Sequence, residues 1–496
     1  MKNKLFSFAA AGVLTLAIAA PAAAAPNKKV VHKAAVAAQA PATVSAADFN
    51  ALKAQFDALQ ARLAQIEQQQ QTQTAAVADA SKAVAAQQAA TSELQESIDH
   101  TSDNLAKTAA NVGEWVGRFQ WKGDVRFRNE SIDQQYVQGL RDRDRIRLRA
   151  GFFAKVNDTV RVEVQATTTE HTLTTPYGDP RSPNVTLSDS NSRKALDLDT
   201  AYVEWQPNAS WKATLGKMRY PWVRPGQSLF FDGDINPEGV AINYTNPTPG
   251  GIFASVFYND LTERATAAVT GAQATNLADS NLLGGQIGWR SNPAATTKFT
   301  VGASYFQFGA VKGYNPFYDG NAFGNTTTTS AAICRRGIAT CLLSGYTVIE
   351  GFGEFATLLG GYPFTAYADY AKNTDAAVNP TVNKTLDTAY SVGVMFGRAS
   401  NPRSWEFGVA YQKIQKDALF GQFVDSDFGA GNTDADGYVL RFGYQLARNW
   451  RINGSYFINN TNIDVGAANT AIGGGVTQTV VNRDYKRLEL DLNMSF

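Results

Sequence analysis

The sequence predicts an all-β transmembrane antiparallel β-barrel of about 16 strands, preceded by an α-helical coiled-coil stalk. Three observations predict it. The chain ends on Leu488-Glu489-Leu490-Asp491-Leu492-Asn493-Met494-Ser495-Phe496, an unbroken alternation of apolar and polar residues closed by an aromatic. A period of two gives a strand one apolar and one wet face, as a wall between lipid and water requires. Upstream, segments of the same period are joined by links that are alternately short and long. Ahead of them, a heptad repeat runs from Phe49 to Val112.

Residues 1–24 read as a secretory signal: Lys2 and Lys4, an apolar run from Leu5 to Ala20, then Ala22-Ala23-Ala24 as the cleavage site. No cysteine stands directly after the cut, which argues against a lipid anchor. Beyond it, no apolar stretch approaches the ~20 residues of a spanning helix, so insertion is expected as strands. The 45 basic and 44 acidic side chains balance, and a mean hydropathy of −0.25 suits a soluble protein equally well. The 41 glycines, 28 phenylalanines and 19 tyrosines favour β structure.

Residues 25–47, with Pro26, Pro41 and the basic Lys28-Lys29 and His32-Lys33, read as a flexible periplasmic linker. The stalk is expected over 48–114. One heptad position reads Phe49, Phe56, Leu63, Gln70, Val77, Val84, Thr91, Ile98, Leu105; its companion reads Leu52, Leu59, Ile66, Gln73, Ala80, Gln87, Leu94. Such a helix would be a rod roughly 95 Å long at ~1.5 Å per residue. Its stripe would be wet in a lone chain, so it needs identical partners. Polar layers at Gln70, Gln73 and Thr91 weaken the seam and fix register, which points to a parallel trimer. A disordered Ala/Gln linker is the alternative.

The barrel is expected over 115–496, from strands near 118–130, 141–156 and 159–171 to a last strand near 484–496. Short links include Asn157-Asp158, Gly360-Gly361-Tyr362 and Ala447-Arg448-Asn449, whereas the others run to about thirty residues rich in Asp, Asn, Thr and Gly. One rim of tight turns, periplasmic, and one of long loops fits an outer-membrane barrel rather than a sandwich. An even strand count returns both ends, and so the stalk, to the periplasm. Trp121, Trp205, Trp211, Trp289, Trp405 and Trp450 fall near the short-turn ends, a girdle at the headgroup level. The strand from Leu196 to Trp205 breaks parity, which predicts a bulge.

In the first strand Trp121, Gly123, Val125 and Phe127 oppose Lys122, Asp124, Arg126 and Arg128; in the second, Ile146, Leu148 and Ala150 oppose Arg143, Arg145, Arg147 and Arg149; in the third, Val160 and Val162 oppose Arg161. A charge facing mid-membrane lipid costs roughly 2–4 kcal/mol, so these arginines must point inward and form a basic wall lining a pore. The third long loop carries Asp232, Asp234 and Glu238. Folded into the barrel, they would face that wall across a narrow eyelet and choose ions by local potential. A calcium loop and an ordinary acidic surface turn are the other readings of this D-x-D-x-N-x-E stretch. Cys334 and Cys341, in the longest loop, read as a disulfide in an oxidising compartment. No metal or cofactor is expected: zinc lacks partners, and His32, His100 and His171 lie far apart. No nucleophile–base pattern suggests an enzyme.

The opening strand Phe119–Arg128, the Arg141–Phe153 strand, Leu198-Asp199-Thr200-Ala201-Tyr202-Val203-Glu204-Trp205, the Phe231-Asp232-Gly233-Asp234 loop and the terminal Phe496 resemble the proteobacterial putative porins, related in plan to the general trimeric porins, over roughly residues 115 to 496. The resemblance implies passive diffusion through a water-filled barrel, homotrimers, a third loop that narrows the pore, and recognition of Phe496 by the barrel-assembly machinery. It implies a setting of outer-membrane lipid and lipopolysaccharide in a Gram-negative cell. The stalk departs from the porin plan and suggests a peptidoglycan contact. The expected function is a general-diffusion porin for small hydrophilic solutes, since ~16 strands leave an aqueous channel. An anion- or phosphate-selective channel, an envelope-tethering protein, an adhesin and an outer-membrane hydrolase are the alternatives.

Overall fold

The computed structural model describes residues 45–111, 116–136, 139–171, 178–188, 190–264, 278–292, 294–469 and 478–496. The signal segment 1–24 and residues 25–44 of the linker lie outside them, as do Val112 and Trp115. The chain divides into two compact units, Met1–Ala106 and Lys107–Phe496.

A 66-residue helix, α1 (Ala46–Asn111), dominates the first. Ser45 starts it: its hydroxyl accepts the Asp48 N–H at 3.3 Å and donates to the Asp48 carboxylate at 2.7 Å, satisfying an otherwise orphaned amide. Alanine, glutamine and lysine between the heptad positions sustain the helix. Leu59 and Leu63, on its apolar stripe, are 64% and 58% exposed.

The second unit is a closed antiparallel barrel. Its strands are β1 (Phe119–Gln134), β2 (Arg141–Lys155), β3 (Val160–Thr169), β4 (Ala195–Trp205), β5 (Trp211–Lys217), β6 (Glu238–Thr245), β7 (Gly251–Thr262), β8 (Ser280–Arg290), β9 (Lys298–Gly309), β10 (Tyr346–Leu359), β11 (Tyr362–Asn373), β12 (Thr388–Gly397), β13 (Trp405–Ile414), β14 (Ala435–Ala447), β15 (Trp450–Thr461) and β16 (Arg483–Ser495). Each pairs with its neighbours in sequence, and β1 closes on β16 from Asp124↔Ser495 to Gln134↔Tyr485. The seam is extended by Phe496, whose N–H donates to the Gly123 carbonyl at 3.0 Å and whose carbonyl accepts from Gly123 at 2.9 Å. Closure leaves no strand edge, the condition for β structure in lipid.

Alternation sorts the wall. On β7 and β8, Val256 and Ile287 are exposed outward whereas Ser255 and Gln286 are buried inward. The six tryptophans near the short turns are all at least one-third exposed on the outer surface. Between β10 and β11 the chain reverses on Gly360 and Gly361, with φ of 59° and 83°, the two left-handed residues that a tight hairpin turn needs. The parity break in β4 is a bulge: Gln165 faces Thr200 while Ala166 faces Leu198, so Asp199 is the extra residue.

The apolar core lies inside the lumen, where three loops enter from the long-loop rim: L3 (218–237), L5 (310–345) and L7 (415–434). Trp222 of L3 stacks on Phe257 of β7 at 4.5 Å, and Phe231 meets Phe306 of β9 at 5.0 Å. Phe420 of L7 packs on Phe308 at 4.9 Å and Tyr346 at 5.3 Å. A disulfide joins Cys334 and Cys341 within L5, with Cα atoms 5.4 Å apart. Because Val256 is 61% exposed in mid-strand, Val256→Lys should cost the barrel roughly 2–4 kcal/mol if that face meets lipid; urea unfolding of the protein folded in phospholipid vesicles measures it.

Candidate functional site

Strand register brings the inward arginines together in like-charged pairs: Arg126 lies opposite Arg147, and Arg128 opposite Arg145. Repulsion between such neighbours must be offset by acids, and every arginine of the expected basic wall has a carboxylate within 3.9 Å. Asp124 sits between Arg147 at 2.6 Å and Arg149 at 2.8 Å. Glu130 takes Arg143 and lies 3.8 Å from Arg145. Asp491 lies 2.7 Å from Arg128 and 3.9 Å from Arg126, Glu489 lies 2.6 Å from Arg128, and Arg161 pairs with Glu204 at 2.6 Å. Arg126 and Arg145 also donate to the Asn184 side chain and carbonyl, at 2.6 and 2.7 Å. The wall is therefore a mixed ladder of both signs rather than a basic one.

L3 does enter the barrel, but its acids take three different roles. Asp234 alone approaches the ladder, 3.6 Å from Arg149 and 3.9 Å from Arg147. Asp232 turns away from it, accepting the Asp234 and Ser426 N–H groups, each at 2.8 Å. Glu238, the first residue of β6, pairs with Lys217 at 2.7 Å. The expectation that all three face the arginines is corrected accordingly, because Asp232 closes an Asx turn and clasps L7. The oxygens of the calcium reading likewise diverge, Asn236 donating to Asp199 at 2.6 Å.

L7 supplies what the sequence did not signal. Its Asp427 reaches Arg487 of β16 at 2.8 Å and Arg128 at 3.3 Å. The tip of L3 is held from the far wall: the Ser228 hydroxyl donates to Asp369 of β11 at 2.6 Å, the Leu229 amide to Gln412 of β13 at 3.0 Å, and the Gly226 amide to Glu354 of β10 at 2.9 Å. The partners Arg487, Glu489 and Asp491 were within reach of sequence reasoning, since the terminal strand places them on its wet face. Nothing local marks Asp427.

The Putative porin family matches residues 133–348 and 363–471, more than half of the chain. The chain belongs to that family. It is an outer-membrane β-barrel porin, with a channel fold. Among solved structures the porin is similar to Pseudomonas putida OprB, at 12% identity over 76% of this chain and 94% of that one, with a TM-score of 0.46. It is similar to a loop L8 deletion mutant of the Vibrio cholerae outer-membrane protein OmpT, at 12% identity over 76% and 100%, with a TM-score of 0.40. A triple mutant of Rhodopseudomonas blastica porin gives 12% identity over 76% and 100%, with a TM-score of 0.40. No curated relative matches the chain at a significant level. The likenesses are distant, and the barrel's closure rests on its own β1–β16 pairing.

Two cavities flank L3 in this porin. One, of about 510 Å³, is lined by L3, L7 and strands β13 to β16, including Arg224, Gly233, Asp425 and Arg441. The other, of about 820 Å³, is lined by Asp234, by Asp179 and Arg181 from the connection between β3 and β4, and by Phe423 of L7. Consecutive residues Gly233 and Asp234 line one cavity each, so this pair stands between the two, with Asp234 turned to the ladder.

The clasp between L3 and L7 carries acids in strained company. Burial, then Asp425 and Asp234 nearby, push the Asp232 carboxyl well above its ordinary range. Burial and neighbouring Asp427 push Asp425 up to about 6. Asp427 is also buried, but Arg487 and Arg128 more than offset that and hold it far below the usual carboxylate value. A carboxyl whose value is raised in the docked loop binds its proton more tightly docked than released. The stabilisation it gives is complete below about pH 4 and is lost as pH rises through about 6. Hydrogen exchange of the L7 amides, corrected for intrinsic rate, should show less protection at about pH 7 than at about pH 5. Asp425→Asn should flatten that difference; equal protection at both pH values in the unaltered porin would contradict it.

Proposed function

We propose that this porin mediates passive diffusion of small hydrophilic solutes and ions through a water-filled lumen narrowed by L3. The observation that carries the reading is the state of L3 itself. Although the loop lies inside the barrel, Arg224, Gly226 and Gly233 are exposed, as residues beside open aqueous space would be. The cavities on either side of Gly233–Asp234 give a solute a place to dwell before and after the eyelet. A ladder whose arginines are each offset by an acid favours weak over strict ion selectivity, because the field at the eyelet then has both signs.

Planar-bilayer recording should show stepwise, long-lived conductances from purified, heat-modifiable protein. A correctly folded barrel that leaves the bilayer silent rejects the reading. Asp234→Asn leaves Arg147 and Arg149 to share Asp124. The salt-gradient reversal potential should then move toward anions, with a permeability ratio changed by up to about fivefold, the Boltzmann factor of the ~1 kcal/mol between unit charges at ~4 Å in water.

We also propose that the functional unit is a trimer, with α1 as a periplasmic coiled coil. The support is the stripe of Leu59, Leu63 and their heptad mates, exposed in the single chain, which three parallel copies would cover. Envelope tethering through peptidoglycan is a role such a stalk would suit. Leu59→Asp with Leu63→Asp would bury unpaired charges in that seam. On gels run without boiling, these variants should lose the trimer and keep heat-modifiable monomer. A trimer that persists assigns assembly to the barrel walls instead.

A further inference from the structure

The guanidinium groups best placed to meet a permeating solute are not those of the ladder. Arg224 and Arg441 both line the 510 Å³ cavity on one side of L3. In contrast to the ladder arginines, neither has a carboxylate within 4.0 Å among the described residues. Arg441 projects from β14 between Gly408 and Ser455, its partners in register, so no neighbour on the adjoining strands competes for it. One of its nitrogens donates to Gln227 of L3 at 2.7 Å, and the rest of its fork has no protein acceptor among the described residues. Arg224 is exposed, rests on the Tyr220 ring at 4.9 Å, and among the described residues donates once, to the Phe231 carbonyl at 2.9 Å. Each is therefore held by one hydrogen bond among the described residues, with donors left over, and both line the same cavity. Planar forks with free donors match the paired oxygens of carboxylate and phosphate groups. Of the acids that line this cavity, Asp491 is paired with Arg128 and Glu406 with Arg451, which leaves Asp425 as the sole carboxylate of the lining outside an ion pair among the described residues.

We propose that Arg224 and Arg441 form an oxyanion-binding subsite within the lumen, which takes small carboxylate- or phosphate-bearing solutes during their passage. The proposal rests on the diffusion reading above and adds to it the solute class and the residues that select it. A binding step of this kind slows chloride in a saturable way without closing the pore. It also explains how a charge-balanced ladder and a preference for oxyanions can coexist: the ladder shapes the eyelet, and the subsite beside it recognises the solute.

The test is single-channel recording in potassium chloride with inorganic phosphate, and separately succinate, added to one side. Phosphate or succinate should reduce chloride conductance saturably, and Arg224→Gln with Arg441→Gln should raise the half-blocking concentration about tenfold, the loss expected for charge-assisted hydrogen bonds. Asp425→Asn should lower it, since a competing acid is removed. Arg224→Gln alone, at an exposed loop position, serves if the double variant fails to fold, and should raise the half-blocking concentration in the same direction. Channels that conduct chloride but are blocked by neither oxyanion overturn the subsite, as does a block unchanged in the arginine variants or weakened in Asp425→Asn. Absence of any channel from folded protein rejects the diffusion reading instead, so the two failures are distinguishable.

Discussion

In hydrocarbon each unpaired backbone N–H or C=O costs several kcal/mol, and water is not there to satisfy it. The rest of this structure depends on that constraint. A sheet can meet it only by closing, and here closure is one seam, β1 on β16, prolonged by the reciprocal Gly123–Phe496 backbone bonds. Gly123 is needed there for space as well: a Cβ would stand 2.3 Å from the Phe496 ring. With the seam closed, strand alternation has a single meaning around the whole circumference. One parity meets lipid and is apolar, as with Val256, Ile287 and Leu490; the other meets the lumen and is free to carry charge.

That freedom creates the second problem. Arginines set opposite one another across β1 and β2 repel unless carboxylates are interleaved, and besides Asp234 of L3 the interleaving comes from strands and a loop far apart in the chain. Asp124 and Glu130 stand on β1 itself, Glu489 and Asp491 come from β16 across the seam, and Asp427 descends from L7. The ladder thus ties the two ends of the barrel chain to a loop from its middle. Buried pairs of this kind gain little over apolar packing but are costly to break singly, so they fix where L7 sits. L7 in turn fixes L3: the Asp232 amide donates to the Phe423 carbonyl at 2.8 Å, and its carboxylate takes the Ser426 amide. The position of L3 inside the barrel is set by this chain of contacts as much as by the barrel wall.

Much of this was legible in the sequence because the governing rules are local. A period of two, a lipid face that tolerates no charge, and turns too short to do anything but reverse the chain determine strand placement, sidedness and even the bulge at Asp199. The heptads determine α1 as directly. The wet face of the last strand already contains Arg487, Glu489 and Asp491, so their inward orientation needed no coordinates. What the sequence determined, then, is which residues face the lumen.

Which of them meet was decided by tertiary structure alone. Asp232 and Asp234 are two residues apart and chemically alike, yet one caps an Asx turn against L7 and the other faces Arg149, a difference set by loop path and not by composition. Asp427 is 299 residues from Arg128 in the chain, and no periodicity links them. Arg224 and Arg441 carry the same charge as the ladder arginines, and only the fold leaves them without a carboxylate within 4.0 Å among the described residues, because β13 and β15 present Gly408 and Ser455 beside Arg441 and L3 holds Arg224 by a carbonyl. Alternation assigns a face to each side chain, but the net charge inside the barrel depends on pairings between distant segments, which exist only once the barrel has closed around its loops.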